Sequence, residues 1–305
     1  MATVDILVPH YNDPEGLTLS LRSVVRQKWV GDKRIVIADD GSSLDHRRSV
    51  EAIADDFRAM STEERPLEID VIQNPENRGR PFTRNVLLDA IDSKYASWLD
   101  AGDEWYPRKL SSQIDLLNGM ESSHISRPVW ATCNYDWAWN GGRRRKIVQK
   151  TDQDQHKALL IGSSLRAYLW TLLGTAESFR CVGWFDERLP RMQDLDYFIR
   201  FVSHGGIIRT VKGQNPYCIY HKSDVGRNAE EIRACNALIY DKHRVIFNRY
   251  GEQFIRMRLY NMDMLAARFA QNNRDKAKQR RYMWSAFKER PVPFLMHVKK
   301  KGFVA

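Results

Sequence analysis

The feature that most constrains this chain is the repeated hand-over, in its first third, from a short apolar run to a polar tip and then to a segment of helical spacing. VDILVPH (4–10) reads as a continuous buried strand, and GLTLSLRSVVRQ (16–27) repeats apolar residues at helical intervals. KRIVIADDGSS (33–43) reads as a second strand ending in an acidic Gly/Ser turn, with a polar helix following to about Met60. LEIDVIQN (67–74), TRNVLLDAI (83–91), YASWLD (95–100) and KLSSQIDLLNGM (109–120) continue the alternation as strand, helix, strand, helix. Short connections between such elements predict a parallel sheet covered by helices on both faces. Ligands of such sheets bind beyond the carboxyl ends of the strands. The tips PHYND, ADDGSS, QNPENRGR and DAGDEW are therefore expected to face one crevice.

The second half is less regular. PVWATCNYDWAW (128–139) reads as one strand, followed by the charged turn GGRRRK. A helical stretch after residue 150 precedes FDERLPRMQDLDYFIRFVSHGG (185–206), a loop running into an amphipathic helix. GIIRTV (206–211) and PYCIYH (216–221) read as short strands, and residues 228–288 as helical. The longest apolar run (158–176) is broken by Arg166 and several hydroxyls, so it is expected to be buried structure and not a membrane span.

Composition narrows the function. At 305 residues the chain has room for a large α/β domain with an appendage. Four cysteines without a CxxC pair argue against a zinc site or a disulfide framework. The opening MATVDILVPHYND has no basic n-region, so no secretory signal is expected. Of the net charge of +10, most lies in residues 271–305, which carry ten Lys/Arg against two Asp/Glu. The nearly neutral body is not the surface of a nucleic-acid-binding protein.

Four clusters carry potential chemistry, each with a plainer alternative. Asp39 and Asp40 leave a strand at a turn that Gly41 permits, with Ser42 or Ser43 placed to cap the next helix. The plainer reading is a capped turn; the other is a carboxylate accepting from a base or ribose hydroxyl. Arg78, Arg80 and Arg84 surround Gly79 near a helix start, as a solvated loop or as a phosphate site. DAGDEW sets Asp100 and Asp103 three apart across Gly102, a wet turn or oxygen ligands for Mg²⁺ or Mn²⁺. Asp194 and Asp196 stand at a helix mouth, as dipole partners or with one serving as a general base. His221 closes an apolar strand, structural unless a metal lies nearby.

Taken in order, VPHYND, ADDGSS, NRGRPFTRN, WLDAGDEWYPRKL, FDERLPRMQDLDYFIR and IYHKSD closely resemble the motifs of the family-two glycosyltransferases of the GT-A fold. These are inverting enzymes of bacterial surface polysaccharide synthesis. The resemblance spans about residues 3–225. It implies an α/β fold of GT-A type, Rossmann-like, with a mostly parallel sheet between helices and a helical C-terminal extension. The catalytic domain would occupy 1–225, with a nucleotide-sugar half over about 1–110 and an acceptor half over 111–225. A basic helical region would follow over 226–305.

The resemblance also implies roles. Pro9 and Tyr11 would border the nucleotide base, Asp40 would hydrogen-bond it, and Arg84 would approach the diphosphate. Asp100 would contact ribose and metal, Asp103 and His221 would complete the metal site, and Asp194 would be the catalytic base. Family members often carry an acid where this chain has Gly102, which leaves Asp103, with Glu104 in reserve, beside Asp100. The implied reaction is metal-assisted transfer of a sugar, glucose from UDP-glucose by family prevalence, to a lipid-linked oligosaccharide. Trp137, Trp139, Trp170 and Trp184 would stack on sugar rings or fill core. The basic, aromatic tail suits the anionic inner membrane, giving a cytoplasmic protein peripherally attached there, or else packs on the catalytic domain. The rival readings are a sugar nucleotidyltransferase, for which VPHYNDPEG is not the needed Gly-rich loop, and a non-catalytic nucleotide-sugar-binding protein.

Overall fold

The computed structural model describes residues 4–122, 127–139, 142–221 and 228–301. They form two compact units, Met1–Arg188 with Gln193–Lys222, and Leu189–Met192 with Ser223–Ala305. The boundary expected near residue 225 lies outside the described residues.

The strands of the first unit are β1 (Val4–His10), β2 (Lys33–Asp39), β3 (Leu67–Gln73), β4 (Tyr95–Trp98), β5 (Glu104–Trp105), β6 (Val129–Thr132), β7 (Tyr135–Ala138), β8 (Arg144–Ile147), β9 (Leu173–Thr175), β10 (Ile207–Thr210) and β11 (Cys218–His221). Seven form one sheet in the order β10-β6-β9-β4-β1-β2-β3, and the other four form a small sheet in the order β5-β11-β7-β8. The large sheet is parallel except at β9, which runs antiparallel to β4 and β6. Helices α1 (Pro14–Val25), α2 (Leu44–Arg58), α3 (Arg80–Asp89), α4 (Lys109–Ser122), α5 (Gln155–Ile161), α6 (Ala176–Arg180) and α7 (Gln193–Ser203) belong to the same unit.

The inner strands β1 and β2 carry the apolar stretches 6–8 and 35–38 because both of their faces are covered, whereas the edge strand β3 alternates buried and exposed residues over 67–70. Ile6, Leu7 and Val8 of β1, although successive side chains point to opposite faces, are all fully buried. Asp13 starts α1 by accepting the Gly16 N–H at 2.9 Å, with Pro14 in the first turn. Ser43 caps α2 through the His46 N–H, while Ser42 turns back to Asp39. The buried Asp5 of β1 receives Arg34 from β2 at 2.8 and 2.9 Å and the Ser93 hydroxyl at 2.7 Å. Burial pushes this carboxyl up, but those donors and the backbone N–H groups of 92 and 93 hold it below the ordinary range.

Residues 128–139 depart from the single strand expected. The run breaks at Cys133–Asn134, sending β6 to the large sheet and β7 to the small one. Asn134 secures the break: its side chain accepts the Gln149 N–H at 2.9 Å and donates to the Gly213 carbonyl at 3.0 Å. Its own carbonyl takes the Tyr217 N–H at 2.8 Å. Within 158–176, Leu159, Leu160, Leu169, Leu172 and Leu173 are buried, as expected. Among the described residues no helix is long and apolar enough to cross a membrane.

The second unit contains α8 (Ala229–Lys242), α9 (Arg244–Asn248), α10 (Gly251–Asn272), α11 (Lys276–Glu289) and α12 (Pro291–Lys301). Ala229, Ala266, Ala267 and Ala270 pack with Ile232 and Tyr282 into its core, small side chains letting the helices approach closely. Trp284, Val292, Leu295 and Met296 remain exposed.

Candidate active site

The strand tips of β1 and β2 are fastened to each other. His10 Nδ1 lies 2.8 Å from Asp39 Oδ1, and its Nε2 accepts the Asp13 N–H at 3.1 Å. An accepting Nε2 assigns the Nδ1 proton to the bond with Asp39. Ser42 Oγ, itself bonded to Asp39, accepts the Asn12 N–H at 2.8 Å. Tyr11 projects from this junction half exposed, and Pro9 sits opposite Ala38 in the sheet.

Asp40 is turned to the arginine loop. Its two carboxylate oxygens accept the N–H groups of Arg78 at 3.0 Å and Gly79 at 2.9 Å. Gly41, at φ +71°, allows the approach, since a Cβ there would come within 2.2 Å of the Glu76 carbonyl carbon. Arg78 lies over the Phe82 ring at 3.6 Å and 3.7 Å from Glu187. Arg80 is exposed, and its charge acts on Asp103.

Arg84, on the first turns of α3, is fully buried yet charged. One terminal nitrogen donates to Asp194 Oδ1, and the other reaches the two Asp100 oxygens at 3.1 and 3.3 Å. Burial alone would lower the guanidinium pKa, but the two carboxylates reverse the shift. The neighbouring Asn85 fixes the approach to α7, its amide oxygen accepting the Phe185 N–H at 2.7 Å and its amide nitrogen donating to the Phe185 carbonyl at 3.1 Å.

The two helix-mouth acids differ. Asp196 is buried against Arg200 at 2.9 Å, one turn along α7. Asp194 instead faces the strand tips, with Oδ1 on Arg84 and Oδ2 accepting the Leu169 N–H at 3.2 Å. Burial raises its pKa above the ordinary carboxylate value, Arg84 pulls it down, and Asp100 adds to the rise. A carboxylate made more basic while still oriented by two donors is suited to removing a proton.

At DAGDEW the chain turns tightly, with the Asp103 N–H donating to the Asp100 carbonyl at 3.1 Å. Gly102 has φ +92°, and its N–H donates to Ser20 Oγ at 3.0 Å and to the Gly16 carbonyl at 3.1 Å. Asp100 points outward, its side chain 30% exposed. Asp103 points inward at 4% exposure and accepts the His221 N–H at 3.0 Å. Burial and the charge of Asp100 push its carboxyl well above the ordinary range. The His221 ring, 40% exposed, meets Glu104 at 2.8 Å, as β5 pairs antiparallel with β11.

The sequence-predicted residues thus fall into three sets. Arg84, Asp100 and Asp194 meet directly, Asp103 and His221 meet across β5 and β11, and Asp40 is engaged by the arginine loop. Leu169, whose N–H holds Asp194, was not singled out from the sequence; a backbone donor leaves no mark there. Glu104 appears as the partner of His221, a place its position next to Asp103 hinted at. Of the four tryptophans, Trp170 is core, Trp137 and Trp139 are half buried, and Trp184 is exposed.

Among the described residues no three metal-ligating side chains cluster closely enough to enclose an ion. Asp100 and Glu104 nevertheless offer hard oxygens, and His221 a nitrogen, beside the turn. Such a partial set fits Mg²⁺ or Mn²⁺, which take their remaining ligands from water and substrate phosphates.

A family model, glycosyl transferase family 2, matches residues 5–169. A glycosyltransferase of Rickettsia prowazekii, RP339, is 27% identical over 65% of this chain, which spans 58% of that protein's length. UDP-Glc:alpha-D-GlcNAc-diphosphoundecaprenol beta-1,3-glucosyltransferase WfgD of Escherichia coli is 26% identical over 37% of this chain and 40% of its own. Among solved structures, the mannosyltransferase PcManGT of Pyrobaculum calidifontis, in complex with GDP-Man and Mn²⁺, superposes with a TM-score of 0.59 at 14% identity, covering 99% of this chain and 79% of that one. That likeness supports the same fold, a sheet whose strand tips gather the residues described above. Since the family match covers more than half of its length, the chain belongs to glycosyl transferase family 2.

Proposed function

We propose that this chain is an inverting glycosyltransferase that moves a sugar, glucose from UDP-glucose, onto a lipid-linked saccharide in surface polysaccharide synthesis. The observation that carries the reading is the Asp100–Arg84–Asp194 constellation at the tips of a parallel sheet. Sequence kinship to a UDP-glucose-dependent transferase with a lipid-diphosphate acceptor supports the choice of donor and acceptor.

In this mechanism Asp194 takes the acceptor hydroxyl's proton as that oxygen attacks the anomeric carbon from the face opposite the leaving diphosphate. Arg84 and the Leu169 N–H keep the carboxylate aimed. Tyr11 and Pro9 border the base, and Asp40, holding the arginine loop, sets where Arg78 and Arg80 present charge to the diphosphate. Asp100 and His221 would hold a divalent cation, which supplies neutralisation of charge on the leaving nucleoside diphosphate. Asp103 keeps His221 in place through its backbone. The exposed apolar residues of α11 and α12, interleaved with basic ones, rest on an anionic membrane surface at its cytoplasmic face.

A panel of nucleotide sugars tests the donor assignment. UDP-glucose with Mn²⁺ should raise the melting temperature more than GDP-mannose does, and Asp100→Asn should abolish the metal-dependent part. Equal stabilisation by all donors, or none by any, argues against it.

A further inference from the structure

The face beside Asp194 carries chemistry that the transfer step does not use. Tyr168 precedes Leu169, the residue whose N–H holds Asp194. Its ring lies parallel to Tyr220, with centroids 6.4 Å apart and planes 11° apart, and Tyr220 stacks on Trp170 at 5.5 Å. Burial raises the Tyr168 hydroxyl to about 12 against the pull of the Arg166 charge. Beyond Tyr220 the row continues to Trp137 at 6.4 Å and from there to Trp139 at 5.9 Å. Tyr168, Tyr220, Trp137 and Trp139 are each only partly buried.

The β7–β8 hairpin adds charge on the same side. Directly opposed residues of an antiparallel pair share a face, and Trp137 stands opposite Arg145. Arg143 extends its guanidinium over the Trp139 ring at 5.6 Å. Arg166, lying over Trp137 at 5.3 Å and bonded to the Gly162 carbonyl and the Tyr135 hydroxyl, holds the row in position. Arg143 and Arg145 are exposed, and among the described residues neither is ion-paired. The other face of the hairpin is occupied differently, with Asp136 accepting the Tyr106 hydroxyl at 2.7 Å.

We infer that this row is the acceptor subsite, where Tyr168, Tyr220, Trp137 and Trp139 receive sugar rings and Arg143 and Arg145 bind a phosphoryl group attached to that saccharide. The inference rests on Asp194 being the base, since the row begins at Tyr168, next to the Leu169 N–H that holds Asp194. Flat aromatic faces take the C–H faces of sugars, and half-burial leaves them reachable. A neutral glycan gives no reason for two solvent-facing guanidiniums at the far end of an aromatic row. A phosphoryl or diphosphoryl group does, because guanidinium matches its oxygens in a two-pronged contact. The order along the face then matches a lipid-linked sugar diphosphate: hydroxyl at Asp194, ring on the aromatics, anion on the arginines.

Three short-chain probes test this by titration of the full chain, with binding read from tryptophan fluorescence: an octyl N-acetylglucosaminyl diphosphate, the neutral octyl N-acetylglucosaminide, and an octyl glucuronide. The diphosphate should bind wild type at least about tenfold more tightly than the neutral glycoside. The Arg143→Ala/Arg145→Ala double variant, altered only at exposed positions, should lose that advantage while binding UDP and melting as wild type does. Trp137→Ala should weaken both N-acetylglucosamine probes. Equal binding of the diphosphate and neutral probes by wild type, an unaffected double variant, or no saturable binding of any probe overturns the inference. A glucuronide that binds as well as the diphosphate assigns the anion to an acidic sugar and overturns the phosphoryl assignment. UDP binding is read separately, so failure of the donor reading is distinguishable from failure here.

Discussion

Arg84 and Asp194, 110 residues apart in sequence, meet in an ion pair whose guanidinium is buried. The same guanidinium holds Asp100, so the residue proposed to take the proton and the one proposed to serve the metal share one cation. A charge that pulls on a carboxylate this strongly sets its basicity as well as its direction.

Replacing that cation has a signed consequence. Arg84→Gln removes the pull that opposes the burial of Asp194, so the carboxyl pKa rises further. The base is active when deprotonated, so the acid limb of the pH–rate profile should move to higher pH. Breaking a buried pair also costs about 3–5 kcal/mol of stability. A profile superposable on wild type would show that Asp194 does not titrate in the reaction.

Gly102 yields a prediction about the missing acid. Its φ of +92° strains any residue with a side chain, and a Cβ there would lie 3.5 Å from an oxygen of Asp13. Gly102→Asp, although it restores an acid common in the family, should destabilise by about 1–3 kcal/mol in urea and leave the metal requirement unchanged. A gain in metal affinity at undiminished stability would contradict the turn geometry.

The tail can be tested without cutting it. Val292, Leu295 and Met296 are exposed on α12, the helix whose Phe294 ring meets Phe287 of α11 at 5.7 Å. Changing all three to Ser should lower sedimentation with anionic liposomes by more than about tenfold, at the ~1.5–3 kcal/mol expected per apolar side chain buried. The melting temperature should stay within about 2 °C, because these residues touch little core. Unchanged sedimentation would remove α12 from the membrane contact.

The central strands were legible because residues buried on both faces leave consecutive apolar residues, as at 6–8 and 35–38. Motif order marked Arg84, Asp100 and Asp194, and the three do meet. Their mutual bonds were not legible, since partners 16 and 110 residues away leave no local pattern. The break at Asn134 was hidden for the same reason, as its partners lie at 149, 213 and 217. Asp40 shows a further limit: the donors that engage its carboxylate are backbone N–H groups, present at nearly every position and so unmarked in sequence.

The most direct measurement is the transfer rate of Asp194→Asn, taken together with its affinity for UDP. The substitution keeps the size of the side chain and an oxygen able to accept the Leu169 N–H, and removes the charge and the basicity. Transfer to a lipid-linked acceptor should fall by at least about a hundredfold with UDP affinity unchanged. A variant that transfers within about tenfold of wild type would contradict the assignment of Asp194 as the base.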